Sequence, residues 1–144
     1  MAPFILLIVS FLIFRFIGFF GLSYLDDWET SLRIAIALMF LFTAAAHWGK
    51  RRQDLIKMVP PALPNPDFIV TMTGILEIVG SIGLLIPITS SIASVGLAFL
   101  LIVMFPANIR AARKEITIGG RPSTPLFPRI ILQIIFLTAV IFVG

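Results

Sequence analysis

Five side chains, His47, Glu77, Asn108, Arg129 and Gln133, bring donors, acceptors or exchangeable protons into or beside stretches that are otherwise apolar. A sixth, Arg15, puts a cation inside an apolar run. Glu77 is the most constraining. Across residues 67–86 the only other charge is Asp67 at the mouth of the run, and an ionised carboxylate at mid-bilayer is costly enough that it must find partners or stay protonated. Steps of three and four along a helix lead from Glu77 to Thr73, Gly74, Gly80 and Ser81, while Ile69, Ile75, Leu76, Ile78, Val79 and Ile82 fall on the other faces. The acid therefore rides on a small, polar seam, the kind of face that lets another helix approach closely in lipid. The chemistry on offer is acceptance and proton exchange at Glu77, either role at His47, and donation from Arg129, Gln133 and Asn108.

Other chemistries are excluded or weakly supported. The chain has no cysteine, which removes disulfides, thiolate catalysis, iron–sulfur clusters and cysteine zinc sites. A single histidine precludes an internal bis-histidine haem, and Met58 with His47 would be a poor substitute, so no metal site is expected. Paired carboxylates, or a nucleophile spaced from a base, are not readable, and the sequence leans away from intrinsic catalysis. Gly119-Gly120 lacks the Lys-Ser/Thr signature and the preceding strand of a phosphate loop, and reads as a turn.

The elements that must hold these side chains are membrane helices. Hydrophobic residues make up 59% and charged residues 12% of the 144, well under the charge of a soluble domain. Mean hydropathy is +1.09. The expected class is all-α, an integral membrane helical bundle of five transmembrane segments at about residues 3–24, 30–48, 67–86, 92–111 and 128–143. The first lacks a basic leader and reads as a retained helix, with Arg15 either snorkelling or paired in the interior, Glu77 being the matching acid at a similar depth. Trp28 and Trp48 bracket the second, where indoles favour the membrane interface. The stretch from Pro60 to Pro66 reads as a loop, and the short link at residues 87–91 makes the third and fourth segments antiparallel neighbours. Pro106 interrupts the fourth segment beside Asn108, freeing a carbonyl that needs a polar neighbour in lipid.

Charge sets an orientation. The links after the second and fourth segments carry Lys50, Arg51, Arg52, Lys57 and Arg110, Arg113, Lys114, Arg121, Arg129, whereas Asp26-Asp27 and residues 87–91 supply acidic or neutral links. The expectation is a multi-pass protein of the cell membrane, amino terminus cytoplasmic and carboxyl terminus external. The net charge of +4 is accounted for by these segment ends, and no nucleic-acid partner is implied.

The order of His47 at a helix end, Met58-Val59-Pro60-Pro61-Ala62-Leu63-Pro64, Thr73-Gly74-Ile75-Leu76-Glu77, Phe105-Pro106-Ala107-Asn108-Ile109 and Arg129-Ile130-Ile131-Leu132-Gln133 resembles the DoxX-like membrane proteins. The likeness runs from Ser31 to Gly144. It implies a four-helix domain at residues 26–144 preceded by an added helix at residues 1–25, with isoleucines where the last-helix motif usually carries a proline. It also implies redox-associated company: a quinone or bound lipid as ligand and a membrane redox partner. From the residues themselves, His47, Glu77, Asn108, Arg129 and Gln133 are expected to line one polar pocket in the cytoplasmic half, under the proline-rich loop. Three readings stand: a binding protein for a small lipophilic molecule, a structural subunit of a membrane complex, and a small transporter or proton conductor. Homo-oligomerisation is left open.

Overall fold

The computed structural model describes residues 2–21, 27–114, 117–118, 121–122 and 125–144. Within them lie six helices: α1 (Ala2–Phe20), α2 (Trp28–Ala45), α3 (Arg52–Met58), α4 (Pro66–Leu85), α5 (Ser90–Arg113) and α6 (Leu126–Phe142). A two-residue antiparallel pair, β1 (Thr117–Ile118) and β2 (Arg121–Pro122), joins Thr117 to Pro122 and Ile118 to Arg121 in the stretch expected to be loop. It adds no layer to the bundle. Gly119 and Gly120, expected to form a turn, and Asp26 of the acidic link lie outside the described residues.

Helices α1, α2, α4 and α5 are long and apolar enough to cross a membrane, and α6 is a shorter apolar helix of 17 residues. The apolar runs set these lengths, and local signals set the ends. Asp27 caps α2 by accepting from the Glu29 amide at 3.2 Å and the Thr30 hydroxyl at 3.2 Å. Pro66 occupies the first turn of α4, where its missing N–H costs nothing, and Asn65 before it takes the left-handed conformation at φ 51°. Helix α5 runs unbroken through Pro106, and the Gln133 side chain donates to the Leu101 carbonyl at 2.8 Å in the turn that precedes the proline. A polar side chain thus supports the weakened turn, as lipid requires.

The helices close a ring. Helix α2 packs on α1 and α4, α4 on α5, and α5 on α6, which reaches back to α2. Glycines set the close approaches: a Cβ at Gly74 would lie 2.8 Å from Trp48 and 2.9 Å from the His47 side chain, and one at Gly80 would lie 2.5 Å from Leu97. The glycines of the Glu77 seam therefore do bring helices together. The ring is plugged over part of its length by Ile36, Leu84, Leu97, Val140 and Val143, all essentially inaccessible. Buried hydroxyls beside the plug bond to carbonyls, Ser94 to Val140 at 2.6 Å and Ser81 to Glu77 at 2.6 Å. Phe19, Ile88, Ile92 and Phe99 point outward, giving the bundle the apolar exterior that acyl chains solvate.

Helix α3 was not expected. Its seven residues are too few to show a period, and it forms because it packs against α4 and α5, burying Met58. Arg110 reaches its end, donating from Nε to the Lys57 carbonyl at 3.3 Å. Leu55 and Met58, one turn apart, face the bundle interior. The cover over the interior is therefore α3 rather than the proline-rich loop, whose residues Pro61 to Asn65 are exposed.

Candidate functional site

The ring is incompletely filled between α2, α4, α5 and α6, leaving a cavity of about 320 Å³. His47, Glu77, Asn108, Arg129 and Gln133 all line it. The expected convergence of these five is what the structure shows. Shared depth suggests that His47, Asn108, Arg129 and Gln133 form one hydrogen-bonded cluster, but their bonds divide them into two polar groups, His47 with Glu77 and Arg129 with Asn108.

Glu77 and His47 form the first wall. Glu77 is 4% exposed, and its Oε2 lies 3.1 Å from the Thr43 hydroxyl and 3.6 Å from His47 Nε2. The Thr43 hydroxyl is also 2.9 Å from the Phe40 carbonyl, so its one proton serves either the carbonyl or the acid. His47, 4% exposed, sits just past the end of α2 with Nδ1 2.7 Å from the Val70 carbonyl. A carbonyl only accepts, which assigns the Nδ1 proton to this bond. Nε2 faces the Glu77 carboxyl across 3.6 Å, and with one proton between the two groups either an imidazolium faces a carboxylate or a neutral imidazole faces a carboxylic acid. Either state leaves the pair compensated where water is scarce.

Arg52 fixes this wall from behind. It donates to the His47 carbonyl at 2.8 Å, the Asp67 carbonyl at 3.0 Å and the Thr71 hydroxyl at 2.8 Å. One guanidinium thus ties the end of α2, the start of α3 and the first turns of α4, a task suited to its fork of donors.

The second wall carries Arg129, which donates to Asn108 Oδ1 at 3.0 Å, and Gln133, held to Leu101 as described. Arg51 lines the same cavity. Between the walls, Met39, Phe40, Leu101, Met104 and Phe136 supply apolar surface. The result is an amphipathic chamber with an acid–base pair on one side and cationic and amide donors on the other.

Arg15 is not Glu77's partner. Pro3 and Phe4, near the start of α1, line the cavity that holds Glu77, so Arg15 lies roughly 16 Å further along that helix at 1.5 Å per residue. Helix α1 packs on α2, which supplies Thr43 and His47 to the acid in its place.

Three contributors were missed. Thr43 passed as an ordinary hydroxyl in an apolar helix, although its position one turn before His47 was a readable signal. Arg52 was counted only as a loop cation, and Met58 as a loop residue. Among the described residues, no group of three or more His, Asp or Glu side chains could hold a metal ion.

A family model described as a domain of unknown function, DUF8561, matches residues 36–143. The match begins inside α2 and runs through α6, spanning both cavity walls and leaving α1 outside it. No curated protein and no solved structure matches the chain.

Proposed function

We propose that this chain, which belongs to the DUF8561 family, is a membrane binding protein for a small lipophilic molecule with a polar head, held in the cavity between α2, α4, α5 and α6. The observation that carries the reading is the convergence of an acid–base pair and a set of amide and guanidinium donors on one chamber of about 320 Å³. That volume is at the small end for ligand pockets, and suits a head group or single ring with its tail leaving between helices. A quinone fits the donor set of Arg129, Asn108 and Gln133, which offer N–H groups to a carbonyl oxygen. A lipid head fits the same donors.

The wider setting proposed is five membrane spans, α6 being the fifth, in the cell membrane, with the amino terminus cytoplasmic and the carboxyl terminus external. The alternating charge of the links supports it. A redox-associated accessory role rests on the DoxX-like resemblance of the motifs around His47, Glu77, Asn108 and Arg129. The reading as a structural subunit is favoured by one observation, that Arg129 with Asn108 and Gln133 with Leu101 already satisfy one another across helix boundaries. Transport is disfavoured by the apolar plug of Ile36, Leu84, Leu97, Val140 and Val143.

Native mass spectrometry of the full chain, extracted gently from membranes, separates binding from a structural role. The expected result is a bound lipophile on the unaltered chain and its loss in Gln133→Leu, which keeps apolar bulk but removes a donor. Identical spectra for the two folded proteins would sink the reading.

A further inference from the structure

Glu77 is 96% shielded from solvent, as the complement of its 4% exposure, yet its carboxyl is only partly used. Oε2 faces Thr43 and His47, whereas Oε1 accepts no hydrogen bond among the described residues. Nε2 of His47 is in a similar position: at 3.6 Å from Oε2 it is beyond hydrogen-bond reach, and its ring is oriented by the Nδ1 bond to Val70. Neither atom is sealed in protein, since no fully buried side-chain nitrogen or oxygen lacks a partner among the described residues. Both residues line the cavity. The wall therefore presents the Glu77 carboxyl and the His47 Nε2 side by side, with Oε2 3.6 Å from Nε2 and bonding capacity left on both groups.

We infer that the molecule bound there presents a hydroxyl group to Glu77 and His47, a specification of the ligand class that rests on the binding reading above. The argument is one of complementarity. A single oxygen placed about 2.8 Å from both Nε2 and Oε2, which are 3.6 Å apart, satisfies both at once, using the lone pair of Oε2 that Thr43 leaves open. To do so it must donate to the carboxylate and accept from the Nε2 proton, or accept from the carboxylic acid and donate to the neutral imidazole. In both proton states of the pair the inserted group needs one donor and one acceptor on the same atom, which a hydroxyl has. A carbonyl or ether oxygen only accepts and leaves one of the two atoms unserved, while an ammonium only donates and leaves the other. The facing wall of Arg129, Asn108 and Gln133 is rich in donors and makes no such demand, so the hydroxyl end is oriented toward α2 and α4.

The test uses the unaltered full chain in detergent, with para-pentylphenol and its methyl ether para-pentylanisole as probes at equal mole fraction in the micelle. The readout is adduct occupancy by native mass spectrometry. The pair differs in one hydroxyl hydrogen. The phenol is expected to bind about tenfold more tightly, the scale of a hydrogen bond to a charged partner. In Glu77→Gln, whose amide can itself donate to an ether oxygen, the preference is expected to narrow. Equal occupancy by phenol and ether on the unaltered chain overturns the hydroxyl inference while leaving the binding reading intact, and would mean that a bridging water alone satisfies the pair. Occupancy by neither removes both.

Discussion

At the scale of single residues, Glu77 and His47 are interdependent because each supplies what burial takes from the other. Removing one leaves a desolvated partner, whereas swapping the acid for an amide keeps shape and hydrogen bonding. Glu77→Leu is therefore expected to lower stability more than Glu77→Gln, by about 1–3 kcal/mol for the polar groups left behind at Thr43 and His47. Thermal unfolding of both variants in detergent checks this, and equal midpoints would contradict it. A double-mutant cycle separates the partners. Glu77 and His47 should show a coupling of about 0.5–3 kcal/mol, and Glu77 and Arg15 should be additive within about 0.5 kcal/mol. The second result would follow because the partners of the Glu77 carboxyl are Thr43 and His47.

Among the elements, α3 and the seam of α4 carry the most consequence per residue. Arg52 joins the His47 carbonyl to Thr71 and the Asp67 carbonyl, so Arg52→Lys, with a compact charge and no fork, should loosen the junction. Faster amide hydrogen exchange in α3 and the first turn of α4, with α5 and α6 unchanged, is the expected signature. Gly74→Ala tests the close approach from the other side: its methyl would press on Trp48 and His47, at a cost of about 1–3 kcal/mol, typical of overpacking. A calorimetric midpoint unmoved by that change would mean that the α2 end yields freely. These two elements also mark how far the sequence could be read. The long helices were legible because each apolar run is a span in itself, and the interior position of Glu77 was legible from the spacing of Gly74, Gly80 and Ser81. Helix α3 was not, because a seven-residue helix owes its existence to the surfaces beneath it. The shared cavity could be inferred from depth, but the division into two walls could not, since it depends on which helix faces which.

For the whole molecule, the topology proposed from the charge pattern is easy to test because the chain has no cysteine. A cysteine at Asp27 should react with an impermeant reagent from outside the cell, and one at Asp54 only after the membrane is opened. The reverse pattern would invert the bundle. Whichever way it stands, the apolar plug makes the cavity a blind chamber. Ile36, Leu84, Leu97, Val140 and Val143 fill the bundle beyond it, and the Ser81 and Ser94 hydroxyls beside them are bonded to carbonyls. A membrane potential acts on charge that moves along the field, at about 2.3 kcal/mol per elementary charge per 100 mV for a full crossing. A proton passing between His47 Nε2 and Glu77 Oε2 moves 3.6 Å, a small part of the roughly 30 Å hydrocarbon depth, so a membrane potential does little work on that transfer.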